Sequence, residues 1–248
     1  MDNSNQPIIY LISICWNEST FLPFFLNYYS FIDKIIIFDN FSSDNSVEII
    51  KNYNNVEYTY YNTNEKIRDD IYLEIKNNLW KTYKNECDWI IIVDIDEIIY
   101  HPIGLVNYLL RIPKDIAILQ CTGFEMFSPN IFDHPGNSIL EKCDTGIAYN
   151  QLNKCTIINT KLTKDINYLA GCHSCNPIIE GRILRDPNFK LLHYKFVFPL
   201  PFLINRYKIM SHRLSDENKK NSWGLHYNNI NRMVLKYKTL SNNYIKVI

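Results

Sequence analysis

The chain has no surplus of charge of either sign: 26 Lys and Arg stand against 26 Asp and Glu in 248 residues. A nucleic-acid binder or a basic membrane clamp works through a net positive field, so neither is expected here. Long apolar runs are missing too. The longest, residues 196–204, holds two prolines and falls short of the roughly 18 residues that span a bilayer. The first residues lack the basic stretch of a secretory signal, so a soluble, cytoplasmic protein is the expectation. A disulfide pattern is lacking as well: the seven cysteines are odd in number and spread along the chain, with Cys15, Cys87 and Cys121 in or beside apolar strand-like runs. That usage favours a reducing compartment. Two glycosylation sequons, at Asn17 and Asn40, adjoin residues assigned below to a ligand site, where a glycan would block entry. No internal repeat is visible.

What is present is core material. A hydrophobic fraction of 46% with 14% aromatics suits a sizeable core, and 21% charged residues is too few for a disordered polyelectrolyte. Short β-rich runs alternate with helical patterns over the first hundred residues, the signature of βαβ units. Strands are expected at residues 8–14, 34–38, 56–60 and 89–93, and a fifth at 116–121. Asn17 or Ser19 is placed to cap a helix running to about residue 30, and Ser43 or Asp44 a short second helix. Ile67, Ile71, Ile75, Leu79 and Tyr83 recur every four residues and predict one amphipathic helix. Pro102 opens a helix to about residue 111. Beyond residue 116 the apolar runs shorten between Gly, Pro and Asn, which predicts mixed β pairing and long loops. Residues 219–231 read as a mobile flap or a frayed end.

The strongest local signal is Asp94-Ile95-Asp96-Glu97, delivered by the fourth strand to the edge of the sheet where ligands of open parallel sheets bind. Hard carboxylate oxygens suit Mg²⁺ or Mn²⁺. A solvated strand end with incidental acids explains the same residues. Asp39-Asn40 through Asp44 follow the second strand and Asn17-Glu18 the first, so three polar clusters converge on one edge. Asp39 or Asp44 can accept from a base N–H or ribose hydroxyls.

Asn17-Glu18, residues 34–46 with Asp39-Asn40 and Asp44, Lys76-Asn77, and residues 88–97 with Asp94 and Asp96 together form an ordered pattern that resembles family-2-type glycosyltransferases. The likeness is strongest to the family-2-like and family-92-like subgroup, whose later Gly-x-His and His-Tyr-(Lys/Arg) motifs resemble Gly171-Cys172-His173 and His193-Tyr194-Lys195. The resemblance spans about residues 8–227. It implies a GT-A (Rossmann-like) α/β fold: a mostly parallel central sheet flanked by helices, with a mixed β acceptor-side half and a C-terminal flap. Residues 1–248 would form one domain, about 1–115 holding the nucleotide sugar and about 116–248 the acceptor.

By resemblance, Asp39 would bind the base or ribose, with Asn17, Glu18, Asn40 and Asp44 lining that pocket. Lys76 and Asn77 would face the donor. Asp94 would touch ribose and metal, Asp96 would ligate Mn²⁺ or Mg²⁺, and His193 would complete the coordination. The segment from Arg213 through His226 to Tyr227 would close on the phosphates, with Lys195, Arg206 or Arg213 supplementing the ion. The implied reaction moves a sugar from a UDP- or GDP-sugar to a glycan or other hydroxyl acceptor, with inversion. The usual Glu-Asp catalytic motif is missing, and Glu125 or His173 is the candidate base, with Asp133 and Asp144 in reserve.

Other readings fit the same residues. A lone His193 in an apolar strand is commonly a satisfied core group. Cys172 and Cys175, with Cys143 or Cys155, could hold zinc, although no second Cys-x-x-Cys is present. Phe124, Phe127, Tyr149, Tyr168 and Trp223 could stack on a sugar or pack in the core. A binding module without catalysis is compatible with the same acids. An aspartyl-phosphate phosphatase fits less well, since that class carries its Asp-x-Asp on the first strand.

Overall fold

The computed structural model describes residues 6–128, 131 and 138–248, so the reserve base Asp133 lies outside the described residues. The first part runs β1 (Ile9–Cys15), α1 (Leu22–Tyr28), β2 (Lys34–Asp39), α2 (Ser46–Ile50), β3 (Val56–Tyr60), α3 (Asp69–Asn78) and β4 (Trp89–Ile92). It continues through β5 (Glu97–Tyr100), α4 (Leu105–Leu109), β6 (Ile116–Met126), α5 (Ile139–Lys142), β7 (Thr145–Ala148), β8 (Cys155–Asn159) and β9 (Thr163–Asp165). The last part holds β10 (Ile178–Ile179), β11 (Arg182–His193), α6 (Leu200–Arg213), α7 (Asp216–Lys220), α8 (Ile230–Asn243) and β12 (Ile245–Lys246).

One twisted sheet carries the architecture, in the order β12-β7-β6-β8-β4-β1-β2-β3, with β11 pairing to β5 and β6. The β3-β2-β1-β4 half is parallel, as the βαβ alternation predicts. The other half is mixed: β8 runs antiparallel to β4 and β6, whereas β11 runs parallel to β6. The continuous apolar runs of β1, β2 and β4 follow from burial on both faces. Alternate residues go to opposite layers. Leu11, Ile35 and Ile91 pack with Phe25 and Leu26 of α1, while Ile12, Ile36 and Ile90 pack with Ile75 of α3 and with Trp80. Among the described residues no helix is long and apolar enough to cross a membrane. The seven cysteines are free thiols.

Local expectations shift in five places. Helix α1 begins after Phe21, which has no capping side chain, so neither expected cap stands at its start: the Asn17 side chain accepts from Ser43 N instead, and the Ser19 N–H donates to Asp44. The stripe over residues 67–83 is α only as far as Asn78, and residues 79–83 tighten into a 3₁₀ turn that buries Trp80. The helix expected from Pro102 starts at Leu105, after Gly104 at φ +77°. Strand β5 was not anticipated, and β6 extends five residues past Cys121, so Glu125 lies inside a strand.

Candidate active-site cleft

β4 ends at Ile92 where the parallel half meets antiparallel β8, and the chain turns through Asp94 and Asp96 before reversing into β5. The turn is closed by two bonds: Glu97 N donates to the Asp94 carbonyl at 3.0 Å, and Asp94 N donates to Glu97 Oε2 at 3.1 Å. It opens onto a cleft of about 530 Å³. Lys76, from the last turn of α3, places Nζ 2.5 Å from Asp94 Oδ1, and Lys154 lies 3.7 Å from Oδ2 while bonding Glu97. Burial disfavours the Asp94 charge, but the two ammoniums outweigh it and hold the carboxyl well below the usual carboxylate range. The same pairing outweighs burial at Lys76 and Lys154 and raises both above the ordinary lysine value.

Asp96 has a different neighbour. His193, the last residue of β11, points Nε2 at Asp96 Oδ2 from 3.3 Å, and its Nδ1–H donates to Glu125 Oε1 at 2.6 Å. Register explains the meeting: His193 sits opposite Glu97 on β5 and opposite Glu125 on β6. The Glu125 carboxylate is buried on His193 and on Lys236 of α8, whose Nζ is 2.6 Å from Oε2. Glu125 is not in the cleft lining and both its oxygens are engaged, whereas the expected role as base requires an oxygen within reach of the acceptor hydroxyl. Burial would lower the His193 pKa, but Glu125 and Asp96 outweigh it and push it up to about 10, so Nε2 carries a proton that a bound ion would displace.

The opposite wall comes from α6 and the segment after it. Arg206 reaches across to the Glu18 carboxylate and donates to the Asn17 carbonyl. Burial pushes the Glu18 carboxyl up to about 7, Arg206 opposing and Asp96 and Asp44 adding to the rise. Arg213 stacks its guanidinium 3.1 Å from the centre of the Trp16 ring and donates to the Glu65 carbonyl, while its buried Nη2 has no hydrogen-bond partner among the described residues. Lys195 lies over the rings of Tyr207 and Tyr227 and has no carboxylate partner among the described residues. His226 packs beside the same rings, and partial burial with the Lys195 charge lowers its pKa to about 4.

His173 closes the third side. Its Nδ1 is 2.8 Å from the Gln151 carbonyl oxygen. A carbonyl only accepts, so Nδ1 carries the hydrogen and Nε2 keeps its lone pair. Partial burial and Lys154 lower its pKa, which favours the neutral ring. Gly171 makes the ring position possible: at φ +77°, a Cβ there would come within 2.8 Å of His173 Cδ2 and 3.0 Å of Nε2.

The cleft thus gathers Glu18, Lys76, Asp94, Asp96, Cys172, His173, His193, Lys195, Arg206, Arg213, Trp223 and His226 of the expected residues. The others are not in its lining. Asp39 is fully buried, both oxygens accepting from Ser42, through its backbone N–H and its hydroxyl at 2.8 and 2.6 Å. Asn40 bonds Thr63, Asn17 ties down Ser43, and Asp44 accepts from Ser19 and Ser46. Asn77 exchanges two bonds with the Tyr168 backbone, at 3.2 and 2.7 Å. These polar clusters build the loops that shape the edge. Asp144 lies next to the β12 end, accepting from Val247 N through its carbonyl. Lys154 and Trp16 were missed, and no motif marks either.

A divalent ion is implied by the family resemblance, and two donors here suit one: Asp96 Oδ2 and His193 Nε2 face each other, and Nδ1 of the same ring is anchored. A carboxylate oxygen with an imidazole nitrogen is a donor pair that Mn²⁺ accepts. Asp94 differs from the expectation, because its oxygens face ammonium groups. Among the described residues no three His, Cys, Asp or Glu side chains converge as a ligand set, for this ion or for zinc at Cys172 and Cys175.

No protein-family model and no curated protein matches the sequence. Among solved structures the chain is similar to GalNAc-T7, in a crystal structure with UDP, GalNAc and Mn²⁺, at a TM-score of 0.46 and 12% identity. The match covers 88% of this chain and 50% of that one, so this chain spans about half its length. Likeness at that level transfers neither ligand nor activity.

Proposed function

We propose that the cleft binds a nucleotide diphosphate sugar with a divalent ion and transfers the sugar to a hydroxyl acceptor, as a GT-A glycosyltransferase of the family-2-like and family-92-like kind. The observation that carries this reading is the Asp96–His193 pair at the carboxyl edge of the parallel half, faced by Lys195 and Arg213, two cations without carboxylate partners among the described residues. An acidic and imidazole ion site opposite spare positive charge fits a diphosphate bridged by a metal.

Asp96 and His193 would hold Mn²⁺ or Mg²⁺, which supplies Lewis-acid stabilisation of charge on the leaving diphosphate. Lys195 and Arg213 add fixed positive charge on the opposite wall. Arg206 holds Glu18 in place, and Lys76 with Lys154 holds Asp94, so the acids of the edge keep one arrangement as ligands enter. His173, neutral with Nε2 as acceptor, is the base we assign to the acceptor hydroxyl, which corresponds to an inverting reaction. The donor site is drawn from both sides of residue 116, so the proposed halves work as one domain.

The test is release of UDP or GDP from a panel of sugar donors with Mn²⁺, offered hydroxyl acceptors. The reading predicts turnover that Asp96→Ala abolishes. Near wild-type turnover in Asp96→Ala would remove the proposed site.

A further inference from the structure

Glu125 is two strands away from the acidic turn in the sheet order, yet both its carboxylate oxygens are engaged. One oxygen accepts from His193 Nδ1–H at 2.6 Å and the other from Lys236 Nζ at 2.6 Å, with the residue 2% exposed. Lys236 is itself placed by aromatic faces, its Nζ 3.9 Å from the Tyr149 ring centre and 5.0 Å from that of Phe196. A continuous line of contacts therefore runs from the C-terminal helix α8 through Glu125 to His193 and ends at Asp96, 3.3 Å from Nε2.

Resting on the reading that Asp96 and His193 receive a divalent ion, we infer that Glu125 is a positioning residue for that site and that Lys236 of α8 locks it in place. The chemistry is one of hydrogen-bond direction. An imidazole can turn about its bond to the chain or present either nitrogen. An acceptor fixed at Nδ1 removes both freedoms, leaving the Nε2 lone pair as the donor to an ion beside Asp96. A lone carboxylate could rotate away from the ring, but one whose second oxygen is bound to Lys236 cannot do so without leaving an ammonium unpaired. Helix α8 thus becomes part of the ion site without touching the ion.

Two donors on two oxygens give a test that a merely structural carboxylate would fail. Gln in place of Glu125 keeps the shape but has one acceptor oxygen, which Lys236 and His193 must contest. Mn²⁺ alone is titrated into the full chain and free Mn²⁺ is followed by electron paramagnetic resonance. Glu125→Gln is expected to bind about 10- to 100-fold more weakly than wild type. The double variant Glu125→Gln/Lys236→Met should recover most of that loss, because the amide oxygen is then free to serve Nδ1. Glu125→Leu/Lys236→Met, which leaves no unpaired charge and keeps the site measurable if the single variant does not fold, should bind as weakly as Glu125→Gln. Wild-type affinity in Glu125→Gln or in the Leu double variant overturns the inference. So does a Glu125→Gln loss that Lys236→Met fails to relieve. Failure of the wild-type chain to bind Mn²⁺ overturns the ion-site reading itself, and this inference with it.

Discussion

Lys154 and Glu97 form a buried ion pair, their side chains 6% and 2% exposed, joining the strand after the acidic turn to the start of β8. Glu97 is the last acid of the run that begins at Asp94, and its partner identifies it as a structural member: it holds the turn, and the turn holds Asp94 and Asp96. Removing one member of such a pair leaves a charge buried without its counter-ion, at a cost of about 3–5 kcal/mol. Lys154→Met should lower unfolding stability by that amount in urea titration. A loss below about 1 kcal/mol would show that the pair is not what fixes the turn.

His173 is assigned to the chemical step and Gly171 to its placement. His173→Ala should lower turnover by about 10²-fold or more while leaving nucleotide affinity unchanged. Gly171→Ala, which drives a methyl into the imidazole, should show the same split at smaller size. Steady-state kinetics paired with calorimetry separates the two quantities, and an equal effect on binding and turnover would assign His173 to the donor pocket instead.

Glu18 gives a pH dependence with a definite sign. Its folded pKa of about 7 lies above the ordinary 4.5, so the native state holds that proton longer than the unfolded chain does. The associated stability is fully present below about 4.5 and is lost as pH rises through 7, on the order of 3 kcal/mol at most. Arg206 stays charged throughout this range. Wild type should therefore lose stability relative to Glu18→Gln between pH 4.5 and 7 in thermal unfolding. A constant difference across that window would contradict the shift.

Arg213 tests the phosphate side of the cleft. Its guanidinium is held by Trp16 and the Glu65 carbonyl with one nitrogen unpartnered among the described residues, so Arg213→Met should weaken UDP or GDP by about tenfold, the worth of one charge-assisted bond. Affinity for the bare nucleoside should not change. Equal losses for nucleotide and nucleoside would point to the base pocket.

The sequence carried the parallel half of the fold plainly, because strands buried on both faces read as unbroken apolar runs and ligand edges follow strand ends. Asp94, Asp96 and His193 were legible as motif members. What their partners do was not, since Lys76, Lys154 and Glu125 meet them through strand register and helix docking across tens of residues. Glu125 illustrates the gap: read alone it is an acid near a strand end, and only the pairing of β6 with β11 sets it opposite His193. Asp39 illustrates the reverse, a polar residue whose motif position suggests a ligand contact while its own loop takes both oxygens.

The central claim is that Asp96 and His193 form an ion site that recruits a nucleoside diphosphate. Calorimetric titration of UDP and of GDP, each with and without Mn²⁺, into wild type and Asp96→Ala tests it most directly. The account predicts that at least one nucleotide binds wild type with a large gain from Mn²⁺, and that Asp96→Ala abolishes the gain. Binding of neither nucleotide, or a Mn²⁺ gain undiminished in Asp96→Ala, would contradict it.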